Sequence, residues 1–180
     1  MSLLETRTVT LDSRKLEGYA VRWNVWSQPL PMSGGRNFTE QVAPGAFSAS
    51  LQTRGQALLW SHDHTRPLAT IRSGSLELVE DAEGLRFKAA LPDTSDGRDA
   101  RALVEDGVMD QLSFGFRATR DTWAGSKRTL LQVDLIEISL VHDPAYPETS
   151  AALRSFRAAF RPDRRTALRL RLWRSMREHK

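Results

Sequence analysis

Cysteine is absent from the 180 residues, so neither a disulfide nor a thiolate metal site is open to this chain, and the composition suits a reducing compartment. Long apolar runs are missing too: none approaches the roughly 20 residues that span a bilayer. Met1 to Thr10 lacks the apolar core of a signal peptide, so the chain is expected to act in a cytoplasm. Histidine is scarce, with His62, His64, His142 and His179 only. Neither HExxH nor GxSxG occurs, which removes the zinc-protease helix and the α/β-hydrolase nucleophile elbow. What is present is a hydrophobic fraction of 40%, enough for one core of ordinary size.

Charge divides the chain. Ten of the 26 Lys and Arg side chains, but only two of the 22 acids, lie between Arg154 and Lys180, so this end carries +8 and the remainder −4. The asymmetry marks a boundary, read as a body over 1–149 and an arginine-rich, helix-prone tail over 150–180 interrupted at Pro162. In the tail Phe156 and Phe160, then Leu168, Leu172 and Met176, fall on amphipathic faces.

Within the body, strands are expected over Thr6–Asp12, Lys15–Trp23 and Asn37–Val42, over the compact apolar run Ala57–Ser61, and over Leu85–Leu91, where apolar and polar or small residues alternate. Leu68–Arg72 and Ser75–Glu80 read as a hairpin about Ser73-Gly74, and His62 to Pro67 as a polar loop. Two short helices are expected. One covers Pro44–Leu51; the other covers Arg98–Asp106, capped from Asp93–Asp96, stopped near Gly107, with Ala102 and Leu103 inward. Leu112, Phe114, Phe116 and Ala118 alternate with Gln111, Ser113, Gly115 and Arg117, giving a strand with one apolar face and a hydroxyl beside a glycine on the other. A turn over Asp121–Lys127 leads to Arg128–Val141, so apolar that both faces are expected to be covered. Glu137 stands inside that run. A lone buried carboxylate costs several kcal/mol, so Glu137 needs a partner, with Arg117 one structural option.

The cluster His62-Asp63-His64 suggests a metal site, yet no third ligand at a recognisable spacing accompanies it. Ser113, a histidine and Glu137 instead make the minimum set for acyl transfer: a nucleophile, a base for its proton, and a carboxylate to hold the imidazole. Their order, His then Ser then acid, matches none of the three common triad orders.

At these residues the chain resembles the phage prohead (capsid maturation) proteases of the HK97 type, related to the herpesvirus assembly proteases. The resemblance spans about Leu16 to Thr149. It is carried by Glu17-Gly18-Tyr19-Ala20, Ala43-Pro44-Gly45-Ala46-Phe47, His62-Asp63 with Pro67-Leu68, Leu112-Ser113-Phe114-Gly115-Phe116, and Glu137-Ile138-Ser139-Leu140-Val141 before Pro144-Ala145. It implies an α+β fold, a small and mainly antiparallel β-barrel surrounded by short helices. It also implies a serine endopeptidase with Ser113 as nucleophile, His62 as base and Glu137 as third member. Its substrates would be the phage scaffold and the scaffolding segment of the major capsid protein, cleaved inside the prohead in the host cytoplasm. No cofactor, metal or membrane is implied, and self-cleavage and a homo-oligomer are compatible with it. The rival class is a non-enzymatic capsid-assembly or nucleic-acid-binding module working through the basic tail.

Overall fold

The computed structural model describes residues 15–32, 35–53 and 55–142. In chain order it contains β1 (Lys15–Arg22), β2 (Leu30–Met32), β3 (Arg36–Val42), a 3-10 turn (Ser50–Thr53), β4 (Ala57–Trp60), β5 (Asp63–Thr70), β6 (Leu76–Glu80) and β7 (Gly84–Ala90), then α1 (Ser95–Glu105), β8 (Gln111–Ala124) and β9 (Lys127–Val141). The expected strand over Thr6–Asp12 and the expected helical tail lie outside the described residues.

β9 organises the larger sheet. Along one edge it pairs with β8 in a long antiparallel hairpin. Along its other edge it takes two parallel neighbours, β3 at Lys127–Leu130 and β4 at Glu137–Leu140. β2 extends the sheet beyond β3, and β5 extends it beyond β4. A second, antiparallel sheet has the order β1–β7–β6. Leu16 and Ala20 of β1, Leu76 and Leu78 of β6, and Leu85 and Phe87 of β7 share one hydrophobic core with Leu58, Phe114, Ile138 and Leu140 of the larger sheet. Phe47 lies between Trp23 and Phe114, with ring centroids 5.9 Å from each. Each fully buried Leu, Ile or Phe here contributes about 1.5–3 kcal/mol of transfer free energy.

The closed barrel ringed by helices is not what these residues form. Among the described residues the sheets are mixed and open, and α1 is the one α-helix. Three strands crowd against β9 from two sides, so strand pairing branches there instead of running round a closed ring. The helix expected over Pro44–Leu51 is a series of turns ending in the 3-10 turn. Glu80 fastens this segment to β6: its carboxylate accepts the Phe47 N–H at 2.9 Å and the Ser48 hydroxyl. Leu68–Arg72 and Ser75–Glu80 do not form a hairpin either. β5 pairs with β4 while β6 pairs with β7, so the Ile71–Gly74 turn carries the chain from one sheet to the other.

The second expected helix is present and slightly longer. Thr94 caps it by accepting the Gly97 N–H at 3.2 Å, and Gly107 leaves it at φ +67°, a conformation that favours glycine. Its inward face is Gly97, Ala100 and Val104; Ala102 is exposed and Leu103 half-buried. β8 runs on through the expected turn to Ala124.

Candidate active site

Alternation on the β8–β9 hairpin separates core from chemistry. Leu112 opposite Leu140, and Phe114 opposite Ile138, point into the core. The intervening pairs, Ser113 opposite Ser139 and Gly115 opposite Glu137, stand on the other face. The Ser61 N–H bonds the Leu140 carbonyl at 3.0 Å, so the backbone groups of Leu140 are directed at β4 and those of Ser139 at β8. Ser113 and Ser139 are therefore a hydrogen-bonded antiparallel pair, with Cα atoms about 5.5 Å apart.

His62 arrives from the neighbouring strand. Trp60 of β4 pairs with Asp63 of β5, which leaves Ser61 and His62 as a two-residue turn where a polar loop was expected. Their φ angles are +46° and +63°, positive at both central positions as a type I′ hairpin turn requires. Asn-Gly is the usual occupant; two residues with full side chains here hold a conformation costing of order 1 kcal/mol or more each. The turn lifts the imidazole over β9, where Nδ1 lies 2.7 Å from Glu137 Oε1.

Glu137 is 3% exposed, and its burial is resolved by hydrogen bonds, not by an arginine. Oε1 faces His62, and Oε2 accepts the Ser139 hydroxyl at 2.6 Å. Arg117 is exposed and pairs in register with Asp134. Ser139 is fully buried, and its oxygen also accepts the His62 backbone N–H at 3.0 Å. Gly115 is what leaves room for the carboxylate. A Cβ built there would lie 2.4 Å from Glu137 Oε1 and 3.1 Å from Cδ. The glycine next but one to Ser113 thus clears space for the acid.

Of the three residues singled out from the sequence, His62 and Glu137 are bonded to each other, and Ser113 lies on their face of the sheet. Among the described residues no hydrogen bond joins His62 to Ser113. With Nδ1 turned to the carboxylate, Nε2 is the nitrogen left to meet a reacting group. His64 is exposed, and the Glu137 carboxylate is bonded by His62 instead. The neighbouring Asp63 is occupied locally: its Oδ1 accepts the Thr65 hydroxyl at 2.6 Å and the Thr65 N–H at 2.8 Å, and these bonds hold its carboxyl below the usual aspartate range. Among the described residues no three His, Cys, Asp or Glu side chains are grouped to hold a metal ion.

Ser139 and the Ser61-His62 turn were not legible as site features. Ser139 follows Glu137 by two positions on a strand, so both share a face; that spacing was the available signal. A groove of about 510 Å³ between Leu68–Thr70 and Ala90–Pro92 lies at the far end of β5 and does not include His62.

No curated protein and no solved structure matches this chain. A family model described as Caudovirus prohead serine protease matches residues 2–161, which include the Ser113 strand, the His62 turn and Glu137. On that match, nearly the whole of the sequence, the chain belongs to the Caudovirus prohead serine protease family, the proteases of phage head maturation.

Proposed function

We propose that the chain is a serine endopeptidase in which Ser113, His62 and Glu137 act as nucleophile, general base and orienting acid. The observation that carries this reading is the 2.7 Å bond between His62 Nδ1 and Glu137 Oε1, on the sheet face that presents Ser113. Ser113 Oγ attacks the scissile carbonyl carbon while His62 Nε2 takes its proton. Glu137 keeps the other imidazole proton on Nδ1 and stabilises the imidazolium that forms. Collapse of the tetrahedral intermediate breaks the C–N bond, and His62 returns the proton to the departing amine. Water, deprotonated by the same nitrogen, then releases the acyl group from Ser113. The hydrogen bond from Ser113 to His62 forms when a peptide is seated, since catalytic hydrogen bonds are often completed only in the bound complex.

The substrates are the scaffold and the scaffolding segment of the capsid subunit, cut inside the prohead; family membership supports capsid and scaffold proteins as the partners. The body over 1–149 performs the chemistry, and the basic segment over 150–180 directs the enzyme to the assembling shell. Co-expression of the capsid precursor with Ser113→Ala tests the mechanism. The precursor should remain uncleaved, and normal processing would end the serine reading.

A further inference from the structure

We propose that Ser139 is a positioning residue that locks the His62 imidazole to its own backbone; the proposal rests on the triad reading above. Three hydrogen bonds close a ring. The His62 backbone N–H donates to Ser139 Oγ at 3.0 Å, the Ser139 hydroxyl donates to Glu137 Oε2 at 2.6 Å, and Glu137 Oε1 holds His62 Nδ1 at 2.7 Å. The ring begins and ends on one residue, so it fixes the torsions of the His62 side chain relative to its main chain.

The directions of these bonds are not interchangeable. A backbone N–H only donates, so the single Ser139 proton goes to Glu137 and both carboxylate oxygens act as acceptors. That arrangement places the imidazole proton on Nδ1 and leaves Nε2 as the acceptor a general base needs. The terminal torsion of a glutamate is soft and broad. Binding Oε2 removes that freedom and aims Oε1 at the ring. At the other end, His62 occupies the second position of a turn held at positive φ, outside the β4–β5 ladder, and the Ser139 oxygen gives its N–H an acceptor. Neither task can be passed to water, because Ser139 is fully buried. The hydroxyl touches no reacting atom. It works through Glu137 and His62, which is how supporting shells set the precision of a site.

Ser139→Ala deletes both bonds with little change in volume. On a free peptide substrate, kcat is expected to fall about 10- to 100-fold, the size of effect for hydrogen bonds to a charged group, with KM within about twofold. The His62 Nδ1 proton, followed by NMR with imidazole nitrogens labelled, is expected to shift or broaden. Ser139→Cys, with a weak S–H donor, should fall between parent and alanine. A packing role alone would lower the melting temperature while leaving kcat per folded molecule and the His62 resonance unchanged, and that outcome overturns the proposal. A loss confined to KM overturns it as well. Should Ser139→Ala not fold, both readouts pass to Ser139→Cys. Failure of the triad reading is separately visible: turnover surviving Ser113→Ala removes the serine mechanism, while the His62 resonance still reports whether Ser139 holds the pair.

Discussion

Gly115→Ala adds one methyl group opposite the buried carboxylate. No positive φ is needed at Gly115, so alanine brings no backbone strain there, and its effect is confined to what the new Cβ meets. That is Glu137 Oε1 at 2.4 Å, with Cδ at 3.1 Å and Cγ at 3.3 Å. Restoring an ordinary contact of 3.4 Å requires Oε1 to retreat by about 1 Å, and Oε1 is the oxygen 2.7 Å from His62 Nδ1. The retreat takes that bond beyond hydrogen-bonding distance unless the imidazole follows, and the imidazole is tied to its turn. A 1 Å misplacement costs roughly 100-fold in rate, and complete loss of the acid's function about 10⁴-fold. Stability should fall by about 1–3 kcal/mol, the range for overpacking. Peptide turnover and thermal unfolding measure the two effects separately. In Glu137→Gln the same methyl should add little further loss of rate, because residues acting as a unit are not additive. A folded Gly115→Ala protein with parental kcat would show that the His62–Glu137 bond does not govern the chemistry.

Three further outcomes follow from other parts of the molecule. His64→Ala should leave turnover close to parental, since exposed positions away from special contacts alter stability by only about 0.5 kcal/mol; a dead His64→Ala beside an active His62→Ala would reverse the assignment. A chain ending at Thr149 should cleave a free peptide at the full-length rate but co-sediment poorly with assembled shells; loss of peptide turnover in a folded product would move the domain boundary. Asp81 should contribute acid-sensitive stability. Burial raises its pKa, but the Tyr19 hydroxyl and the Glu83 and Gly84 amides outweigh this and leave the carboxyl below the aspartate range. A depressed folded value means stability fully present above about pH 4, the unfolded value, and lost as pH falls through the lower folded value. Asp81→Asn should therefore flatten the acid limb of melting temperature against pH, and an unchanged limb would refute the assignment.

Local patterns carried the single-strand features. The alternation of Leu112, Phe114 and Phe116 put Ser113 on the face away from the core, where it stands. An acid inside an apolar run called for a partner, and Glu137 has two. Thr94 lies within the polar segment expected to cap α1. What was not legible depends on chain segments far apart in sequence. Nothing local says that β4 runs parallel to β9, which sets His62 over Glu137 across 75 positions. Nothing local says that Glu80, 33 positions further on, accepts the Phe47 N–H. The Ser61-His62 turn was hidden because neither residue favours positive φ; long-range bonds from Ser139 and Leu140 hold it there. The barrel that the resemblance implied failed for a related reason, since short shared motifs do not say which strand edges meet, and here β9 pairs with β3, β4 and β8.

The most direct measurement of the central claim is covalent labelling with a fluorophosphonate followed by mass spectrometry of the digested protein. An activated serine oxygen attacks phosphorus, fluoride departs, and the serine proton passes to the general base. The expected result is a single adduct on Ser113, strongly slowed in Glu137→Gln and absent in His62→Ala. An adduct on any other residue, or equal labelling of Ser113 in parent and His62→Ala, would contradict the assignment of Ser113 as a nucleophile activated by the His62–Glu137 pair.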